Sequence, residues 1–304
     1  MNSLQTAVMV VMVVTASAMG NAQSGRSWNL ALDEAERTAP DARIVIVDIR
    51  NGRLLASHHL REATRTLAAP GSTLKPLVLY GLLASGRWNA DRRIACNRAL
   101  MVAGHRLVCS HPPAPPFDAR AALAWSCNSY FAEVARMLHP RELGELLRPT
   151  GLLGATALAS NEAVAAFREP SSQQDQQLTL LGVENIRITP LELAAAYRWL
   201  ATEFAAHSET IATITVQAGL ADSAESGMAQ PASQGAVSVA GKTGTAESGA
   251  SHRTHGWFAG LAPASNPQVV IVVYVPSGRG TDAAHIAGVL LAHSPLRAEK
   301  AKQR

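Results

Sequence analysis

The hydrophobic pattern of the chain places strand-like runs towards its two ends and helical patterns between them. Two β-rich runs in ARIVIVDIRNGRLLASHH (residues 42–59) flank Asn51-Gly52, a dipeptide that favours a tight hairpin turn. Towards the C-terminus, AVSVAGKTGTA, GWFAGLAP and PQVVIVVYVP have the composition of three further strands. Because an isolated hairpin is barely stable, we expect these sequence-distant strands to pair in one antiparallel sheet.

The clearest helical signals are two start sites. ITPLELAAAYRWLA begins with a capping box, in which Thr189 is the N-cap, Pro190 takes the first helical position and Glu192 closes the box. Ser72 can cap or begin a helix that runs to about Ala84. Both helices fall in the middle of the chain.

Sequence pattern and composition predict the structure of the remaining segments. We expect a short amphipathic helix over Ser27–Ala39, a helix over Ala119–Met137 that is interrupted at WSCNSYF, and a final helix from about Thr281 to His293. Residues 90–118 end in HPPAPPFD, and because proline has no amide N–H this segment is predicted to be irregular. Residues 222–235 are rich in Ser, Ala and Gly and are predicted to form a surface loop.

These patterns predict a mixed α/β (α+β) fold. Its antiparallel sheet is formed from about residues 42–60 and 236–295 and is flanked by helices, and a mainly helical subdomain of about residues 72–235 is inserted between the two parts. We expect residues 23–304 to form a single domain. A functional site then belongs in the cleft between the sheet and the insertion.

The first 22 residues differ from the rest. The run 7–18 (AVMVVMVVTASA) is almost wholly apolar, but it is too short to span a bilayer comfortably. Ala16–Ala18 and Gly20–Ala22 have the small-x-small pattern of a cleavage site, so we expect residues 1–22 to be a signal peptide. No Lys or Arg precedes the apolar run, and an uncleaved anchor or a buried N-terminal helix are the alternatives.

Composition and charge exclude some classes of protein. Of the 304 residues, 47% are hydrophobic and 16% are charged, which indicates a globular chain and excludes a disordered one. The formal net charge is +4, but no run of Lys and Arg marks a nucleic-acid surface, so no nucleic-acid partner is expected. A mildly basic surface suits an anionic partner.

The chain has three cysteines, so at least one thiol has no partner within the chain. In an exported protein, a disulfide between Cys96 and Cys109 is the first expectation, and free thiols are the second. A zinc site built from Cys96, His105, Cys109 and His111 is the third, because this spacing matches no established zinc pattern. We expect no metal.

Ser72 and Lys75 are three positions apart and therefore share one face of the predicted helix. Lys75 is followed by an apolar run, where desolvation lowers the pKa of an amine. A neutral amine within reach of Ser72 can take the proton of its hydroxyl, so the pair makes sense as nucleophile and base. A helix cap beside a snorkelling lysine is the alternative for this common pattern.

Two other motifs carry polar side chains into apolar surroundings. In Ser126-Cys127-Asn128 the two polar residues can point into a cleft, one to relay a proton and one to hold an amide, although an ordinary turn is the alternative. Lys242-Thr243-Gly244-Thr245 lies in a predicted strand, where a lysine and two hydroxyls suit a carboxylate. Gly244 leaves room for the close approach of a ligand backbone. A polar edge strand is the alternative.

Ser-x-x-Lys, Ser-x-Asn and Lys-Thr-Gly occur in this order, which resembles the signature of the serine penicillin-binding proteins and serine β-lactamases. PGSTLKP, ALAWSCNSYF, ITPLELAAAYRWLA and GKTGTAE with GWFAGLAP are similar to landmarks of the penicillin-binding form, closest to its class B. The resemblance covers residues 42–295. It implies the fold that these two groups of enzymes share.

The resemblance also implies a reaction, namely acyl transfer from a D-Ala-D-Ala stem peptide of peptidoglycan by a D,D-transpeptidase or D,D-carboxypeptidase. Ser72 would be the acylated nucleophile and Lys75 its base. Ser126 would pass a proton to the leaving amine, and Asn128 would hold the substrate amide. The resemblance implies no cofactor, and it implies β-lactams as covalent inhibitors.

The third motif is implied to bind the substrate. Lys242, Thr243 and Thr245 would hold its terminal carboxylate, and Gly244 would allow its approach. The N–H groups of Ser72 and Thr245 would form an oxyanion hole. The expected location is the periplasm or cell envelope, where other cell-wall synthesis proteins are expected partners.

The sequence leaves alternatives for the domain organisation and the function. Class B proteins usually carry an N-terminal pedestal domain, whereas few residues precede the first strand here, so we expect a lone transpeptidase-like domain. A serine β-lactamase is an alternative, although we find neither a Glu-x-x-x-Asn segment after the second motif nor Tyr-Gly-Asn in its place. A non-catalytic β-lactam sensor or cell-wall scaffold is another. We expect exposed histidines, with His252 and His255 at the cleft rim.

Overall fold

The computed structural model describes residues 28–139, 141–235, 237–248 and 253–296, so the expected signal peptide lies outside the described residues. The strands are β1 (Arg43–Asp48), β2 (Leu54–His58), β3 (Ala99–Val102), β4 (His105–Val108), β5 (Ala166–Phe167), β6 (Ile186–Arg187), β7 (Ala240–Ser248), β8 (Arg253–Ala262) and β9 (Val269–Val275). The α-helices are α1 (residues 28–38), α2 (Leu60–Ala63), α3 (Lys75–Ala84), α4 (Ala119–Ala124), α5 (Asn128–Arg136), α6 (Glu142–Leu147), α7 (Gln173–Leu180), α8 (Pro190–Ala206), α9 (Ile211–Glu225) and α10 (Gly280–Ala292). Short 3₁₀ helices cover Gly71–Leu74, Arg148–Thr150 and Gln230–Ala232.

Five strands form one sheet in the order β2-β1-β9-β8-β7, and every neighbouring pair is antiparallel. The N-terminal hairpin therefore pairs with the C-terminal strands, as the sequence predicts. Strand β9 joins the two groups, because β1 pairs with one of its edges and β8 with the other. Strand β7 lies at one edge of the sheet, where it is open to the helical insertion.

The sheet separates two hydrophobic cores. Alternate residues of β1 point to opposite faces, so that Val45 and Val47 lie in the core beneath the helical insertion, whereas Ile44 and Ile46 lie in the core beneath α1 and α10. Trp28 of α1 is buried in the second core. Because both faces are covered, β9 is apolar and buried along its whole length.

Several local predictions are confirmed. β1 and β2 form a hairpin around Asn51-Gly52. Thr189 and Glu192 make both hydrogen bonds of the capping box at the start of α8. The interruption expected at WSCNSYF separates α4 from α5, and the final helix is α10. The predicted fold class is confirmed by this sheet and its flanking helices.

Two predictions need correction, and a third is confirmed in one of its two forms. Residues 90–118, predicted to be irregular, contain the β3–β4 hairpin. Ser72 begins a helical stretch that runs to Ala84, as the sequence predicts, but it lies inside the 3₁₀ helix Gly71–Leu74 and does not cap α3 by its side chain. The predicted loop over residues 222–235 overlaps the end of α9 and a 3₁₀ helix. Within the described segments, no helix has the length and the apolar composition needed to cross a membrane.

Candidate active site

The turn that carries Ser72 is fixed by close backbone contacts. Gly71 has φ +55°, a conformation that favours glycine. A Cβ built on Gly71 would lie 2.7 Å from the carbonyl oxygen of Thr245 in β7. A Cβ on Gly244 would lie 2.4 Å from the carbonyl oxygen of Pro70. The Ser72 turn and β7 therefore approach each other more closely than any side chain would allow.

Buried side chains from the sheet and from α8 hold the same turn. The carbonyl oxygen of Ala69 accepts hydrogen bonds from Trp257 Nε1 at 2.9 Å and from His255 Nε2 at 2.8 Å. Tyr197 Oη in α8 donates to the carbonyl oxygen of Thr73 at 3.0 Å. Burial lowers the pKa of His255, which favours the neutral ring. The sequence analysis did not predict these hydrogen bonds to the Ser72 turn. It placed His255 at the cleft rim, whereas the structure buries this residue.

Lys75, the first residue of α3, has a fully buried side chain that crosses from the sheet side to the helical side of the site. Its Nζ donates to Asn128 Oδ1 at 2.8 Å, to the carbonyl oxygen of Ser126 at 3.0 Å and to Ser126 Oγ at 3.3 Å. Nζ also lies 5.1 Å from the centre of the Phe131 ring. Burial lowers the pKa of Lys75 to about 8. A lysine with this pKa can act as a general base near neutral pH.

The second motif forms the sharp connection between α4 and α5. Ser126 has φ +55°, which is unusual for a residue with a side chain, and Asn128 is the first residue of α5. Asn128 Nδ2 donates to the carbonyl oxygen of Val108 at the end of β4 at 3.1 Å. Both ends of the Asn128 amide group are therefore engaged, one by Lys75 and one by the β3–β4 hairpin.

Strand β7 presents the third motif. Thr243 and Thr245 face the cleft, and Thr245 Oγ1 accepts a hydrogen bond from the N–H of Gly280 at the start of α10 at 2.9 Å. Lys242 is fully buried, and its Nζ donates to the carbonyl oxygen of Thr243 at 3.0 Å. Burial lowers the pKa of Lys242 well below its usual range, and the nearby charge of Lys75 lowers it further.

Two adjoining cavities of about 970 and 120 Å³ meet at Ser72. Residues from both sides of the cleft line the two cavities, namely Ser72, Val108, Ser110, Asn128 and Thr245. Ser126 and Thr243 line only the smaller cavity, together with Trp125 and Met228. The structure thus brings the hydroxyls and the amide of all three motifs to one place.

Lys75, Lys242 and Gly244 are not among the residues that line these cavities. Lys75 lies beneath Ser126 and Asn128, to which its amine is bonded. Lys242 is buried in β7, so Thr243 and Thr245 rather than the lysine present polar atoms directly to the cleft. Gly244 provides the close approach of β7 to the Ser72 turn.

The Cys96–Cys109 disulfide is not formed in the structure, where all three cysteines are free thiols. Both residues lie instead with Cys127 and His111 in one cluster, so that neither thiol faces a single partner. His105 is outside this cluster, and its Nε2 lies 2.8 Å from Glu184 Oε1. His252 lies outside the described residues.

The model of the penicillin-binding protein transpeptidase domain family matches residues 42–292. Among curated proteins, the peptidoglycan D,D-transpeptidase PbpA of Mycolicibacterium smegmatis is 27% identical over an alignment of 196 residues, and the match covers 55% of this chain and 40% of that protein. The chain therefore matches well under half the length of this relative.

Solved structures show the same fold. A peptidoglycan glycosyltransferase from Burkholderia ambifaria superposes with a TM-score of 0.78 at 19% identity, covering 92% of this chain and 96% of that one. The transpeptidase domain of penicillin-binding protein 3 from Burkholderia pseudomallei superposes with a TM-score of 0.76 at 17% identity, covering 91% and 95%. With its motifs assembled in one cleft and its family model matched over most of its length, the chain belongs to the penicillin-binding protein transpeptidase domain family.

Proposed function

We propose that this chain is a peptidoglycan D,D-transpeptidase that works through an acyl-enzyme on Ser72. The single observation that carries the proposal is the buried Lys75 amine, which is bonded to Ser126 and Asn128 beneath the cavity that Ser72 lines. A lysine with a pKa of about 8 supplies neutral amine at physiological pH, roughly one molecule in ten at pH 7. An ordinary lysine would supply roughly two-hundredfold less.

The first half of the reaction forms an ester. Ser72 Oγ attacks the carbonyl carbon of the penultimate D-Ala while Lys75 takes the hydroxyl proton. The developing oxyanion is stabilised by backbone N–H groups, for which Ser72 and Thr245 are the candidates because their backbones meet at Gly71 and Gly244. The C–N bond to the terminal D-Ala then breaks, and that amine leaves with a proton delivered through Ser126.

The second half restores the enzyme. An amine of another stem peptide attacks the ester carbonyl and loses a proton to Lys75. The new peptide bond forms as the bond to Ser72 Oγ breaks, and Oγ regains a proton. Water in place of the amine would give D,D-carboxypeptidase activity instead, with the same balance of atoms.

The charge of the cleft supports an anionic substrate. Three arginines and two glutamates line the larger cavity, namely Arg106, Arg168, Arg187, Glu184 and Glu247. At the inner end, Thr243 and Thr245 line the smaller cavity, and the buried Lys242 lies behind them in β7. A stem peptide that ends in a carboxylate fits this arrangement, with its C-terminus towards β7.

The direct test is the intact mass of the purified chain during incubation with benzylpenicillin, with Ser72→Ala as the matched control. Ser72 Oγ opens the β-lactam ring, so a covalent adduct adds the whole mass of penicillin. We expect a long-lived adduct on the wild-type chain that peptide mapping assigns to Ser72. We expect no adduct on the variant.

Other outcomes distinguish the alternatives. An adduct that disappears as penicillin is consumed would identify a serine β-lactamase. Absence of any adduct, with both proteins folded, would contradict the enzyme and favour a scaffold. If the adduct is stable, a synthetic stem pentapeptide with and without an amine acceptor separates cross-linking from simple release of D-Ala.

We further propose that the chain acts outside the cytoplasmic membrane. The apolar run 7–18 and the small residues that follow it support export. Fractionation of cells that produce the full chain, with N-terminal sequencing of the exported protein, tests both location and cleavage. A full-length protein that remains in the cytoplasm would contradict the proposal.

A further inference from the structure

Three cysteines and one histidine converge directly behind the second motif. One ligand atom from each of Cys96, Cys109, His111 and Cys127 lies within 4.8 Å of all the others. Three of the four residues are buried, and Cys96 is half-buried. They come from separate parts of the chain, before β3, after β4 and at the N-cap of α5, so that folding alone brings them together.

The size of the cluster fits a single zinc ion. Four-coordinate Zn²⁺ binds cysteine sulfur at about 2.3 Å, so the sulfur atoms of a tetrahedral site are about 3.8 Å apart. Separations of up to 4.8 Å need only a small contraction to reach this geometry. Three thiolates and one imidazole make a Cys₃His ligand set, which is a common structural zinc site.

The orientation of His111 provides an independent observation. Its Nδ1 lies 2.7 Å from the carbonyl oxygen of Pro112, which can only accept a hydrogen bond, and 3.3 Å from Arg98 Nη1, so the shorter contact favours a proton on Nδ1. The other nitrogen, Nε2, is buried and has no hydrogen-bond partner among the described residues, in a side chain that is 1% exposed. Its lone pair is therefore free, and this pattern is typical of histidines that bind metal through Nε2.

The surroundings of the sulfur atoms match those of metal-bound thiolates. The N–H of Asn128 donates to Cys109 Sγ at 3.2 Å, and the N–H of Arg98 donates to Cys96 Sγ at 3.4 Å. Zn²⁺ with three thiolates carries a net charge of −1. The Arg98 guanidinium, which donates to the carbonyl oxygen of His111, lies where it offsets that charge.

We propose that Cys96, Cys109, His111 and Cys127 form a Cys₃His zinc site that fastens the β3–β4 hairpin to the Ser126–Asn128 turn. Four protein ligands fill the tetrahedron, so the site is structural rather than catalytic. Cys127 lies between the two cleft residues of the second motif, and Cys109 follows the strand whose Val108 holds Asn128. The zinc site does not depend on the proposed acyl transfer, and its test uses no substrate.

The test is the zinc content of the purified full chain, measured by inductively coupled plasma mass spectrometry after loading with zinc and removal of loosely bound metal. We expect one zinc per chain. Cys96→Ser and His111→Ala should each weaken zinc binding by more than the roughly 10–100-fold that loss of an outer partner costs. His105→Ala is the matched control, because this histidine lies in the same segment but outside the cluster, and it should keep one zinc.

A second measurement on the wild-type chain avoids reliance on variants that fail to fold. Titration of the metal-free chain with Co²⁺ should saturate at one equivalent, with a thiolate-to-cobalt absorption band and the strong visible bands of tetrahedral coordination. Zinc should also protect the three thiols from alkylation. Absence of the thiolate band, equal loss of zinc from His105→Ala, or a Cys96–Cys109 disulfide in the native chain would overturn the proposal.

Discussion

The two sides of the cleft are held by different kinds of contact. We call Gly71–Leu74 with Ala240–Ser248 the sheet wall, and Ala99–Val108 with Ser126–Asn128 the helical wall. In the sheet wall, backbone packs on backbone, because glycines remove the side chains at the contact. In the helical wall, side chains make the contacts, as where Asn128 bonds Val108 and the amine of Lys75.

This difference decides which substitutions each wall tolerates. The sheet wall depends on the absence of side chains at its glycines and on paired strands, so that adding atoms disrupts it, whereas Thr243 and Thr245 face the cleft. The helical wall depends on present side chains, so that removing atoms disrupts it. Lys75 joins the two walls, because it directly follows Gly71–Leu74 of the sheet wall and its amine bonds Ser126 and Asn128 of the helical wall.

The largest expected effect follows from removing this connection. Lys75→Met keeps the length of the side chain but removes the base, and Lys75→Arg keeps a charge that cannot be lost. Both should slow acylation by benzylpenicillin about 10²–10⁴-fold. The second-order rate constant from stopped-flow fluorescence checks this, with thermal melts to confirm folding. Near wild-type acylation by Lys75→Arg would show that the lysine supplies charge rather than accepting a proton.

The pH dependence of acylation tests the same residue without mutation. Only the neutral amine accepts a proton, and burial lowers the pKa of Lys75 to about 8. The rate constant should therefore rise about tenfold per pH unit below that value and level off above it. A rate that still rises towards the ordinary lysine pKa of about 10.4 would mean that the amine is not desolvated during the reaction.

The sheet wall could be predicted from the sequence more completely than the helical wall. Its strands are long and apolar, and Pro70-Gly71 and Gly244 are local signals of a turn and of a close approach. The resemblance to the penicillin-binding proteins implies that Ser72 and Thr245 share one site, and in the structure both residues line the same two cavities.

The β3–β4 hairpin was missed for a physical reason. Its turn has φ +45° at Ala103 and +83° at Gly104, the pattern of a turn that normally prefers Asn-Gly. Alanine in the first position hides that signal. The sequence suggested three members of the cysteine cluster, Cys96, Cys109 and His111, but with His105 as the fourth ligand in place of Cys127, whose contribution depends on a chain reversal that no local pattern reveals. The buried hydrogen bonds to the carbonyl oxygens of Ala69 and Thr73 likewise come from residues that are distant in sequence, so no local pattern predicts them.

Adding one methyl group tests the sheet wall. Gly71→Ala and Gly86→Ala both place alanine at a positive φ, which costs about 1–2 kcal/mol. Only at Gly71 does the new Cβ also overlap Thr245, since nothing lies within 4 Å at Gly86. Gly71→Ala should therefore lose more stability in urea unfolding and slow acylation about 10²-fold, whereas Gly86→Ala should acylate at the wild-type rate. Equal effects on stability and acylation would contradict the close contact.

The smallest expected effect concerns strain in the helical wall. Ser126 has φ +55°, so Ser126→Gly should be more stable than Ser126→Ala, by up to about 1 kcal/mol once the greater freedom of glycine in the unfolded chain is subtracted. At Ser85, where φ is −83°, the order should reverse and alanine should be the more stable. Urea unfolding of the four variants measures both differences. The same sign at both positions would mean that the Ser126 turn relaxes when its hydroxyl is removed, so that the hydrogen bond from Lys75 Nζ to Ser126 Oγ, rather than the backbone, imposes its conformation.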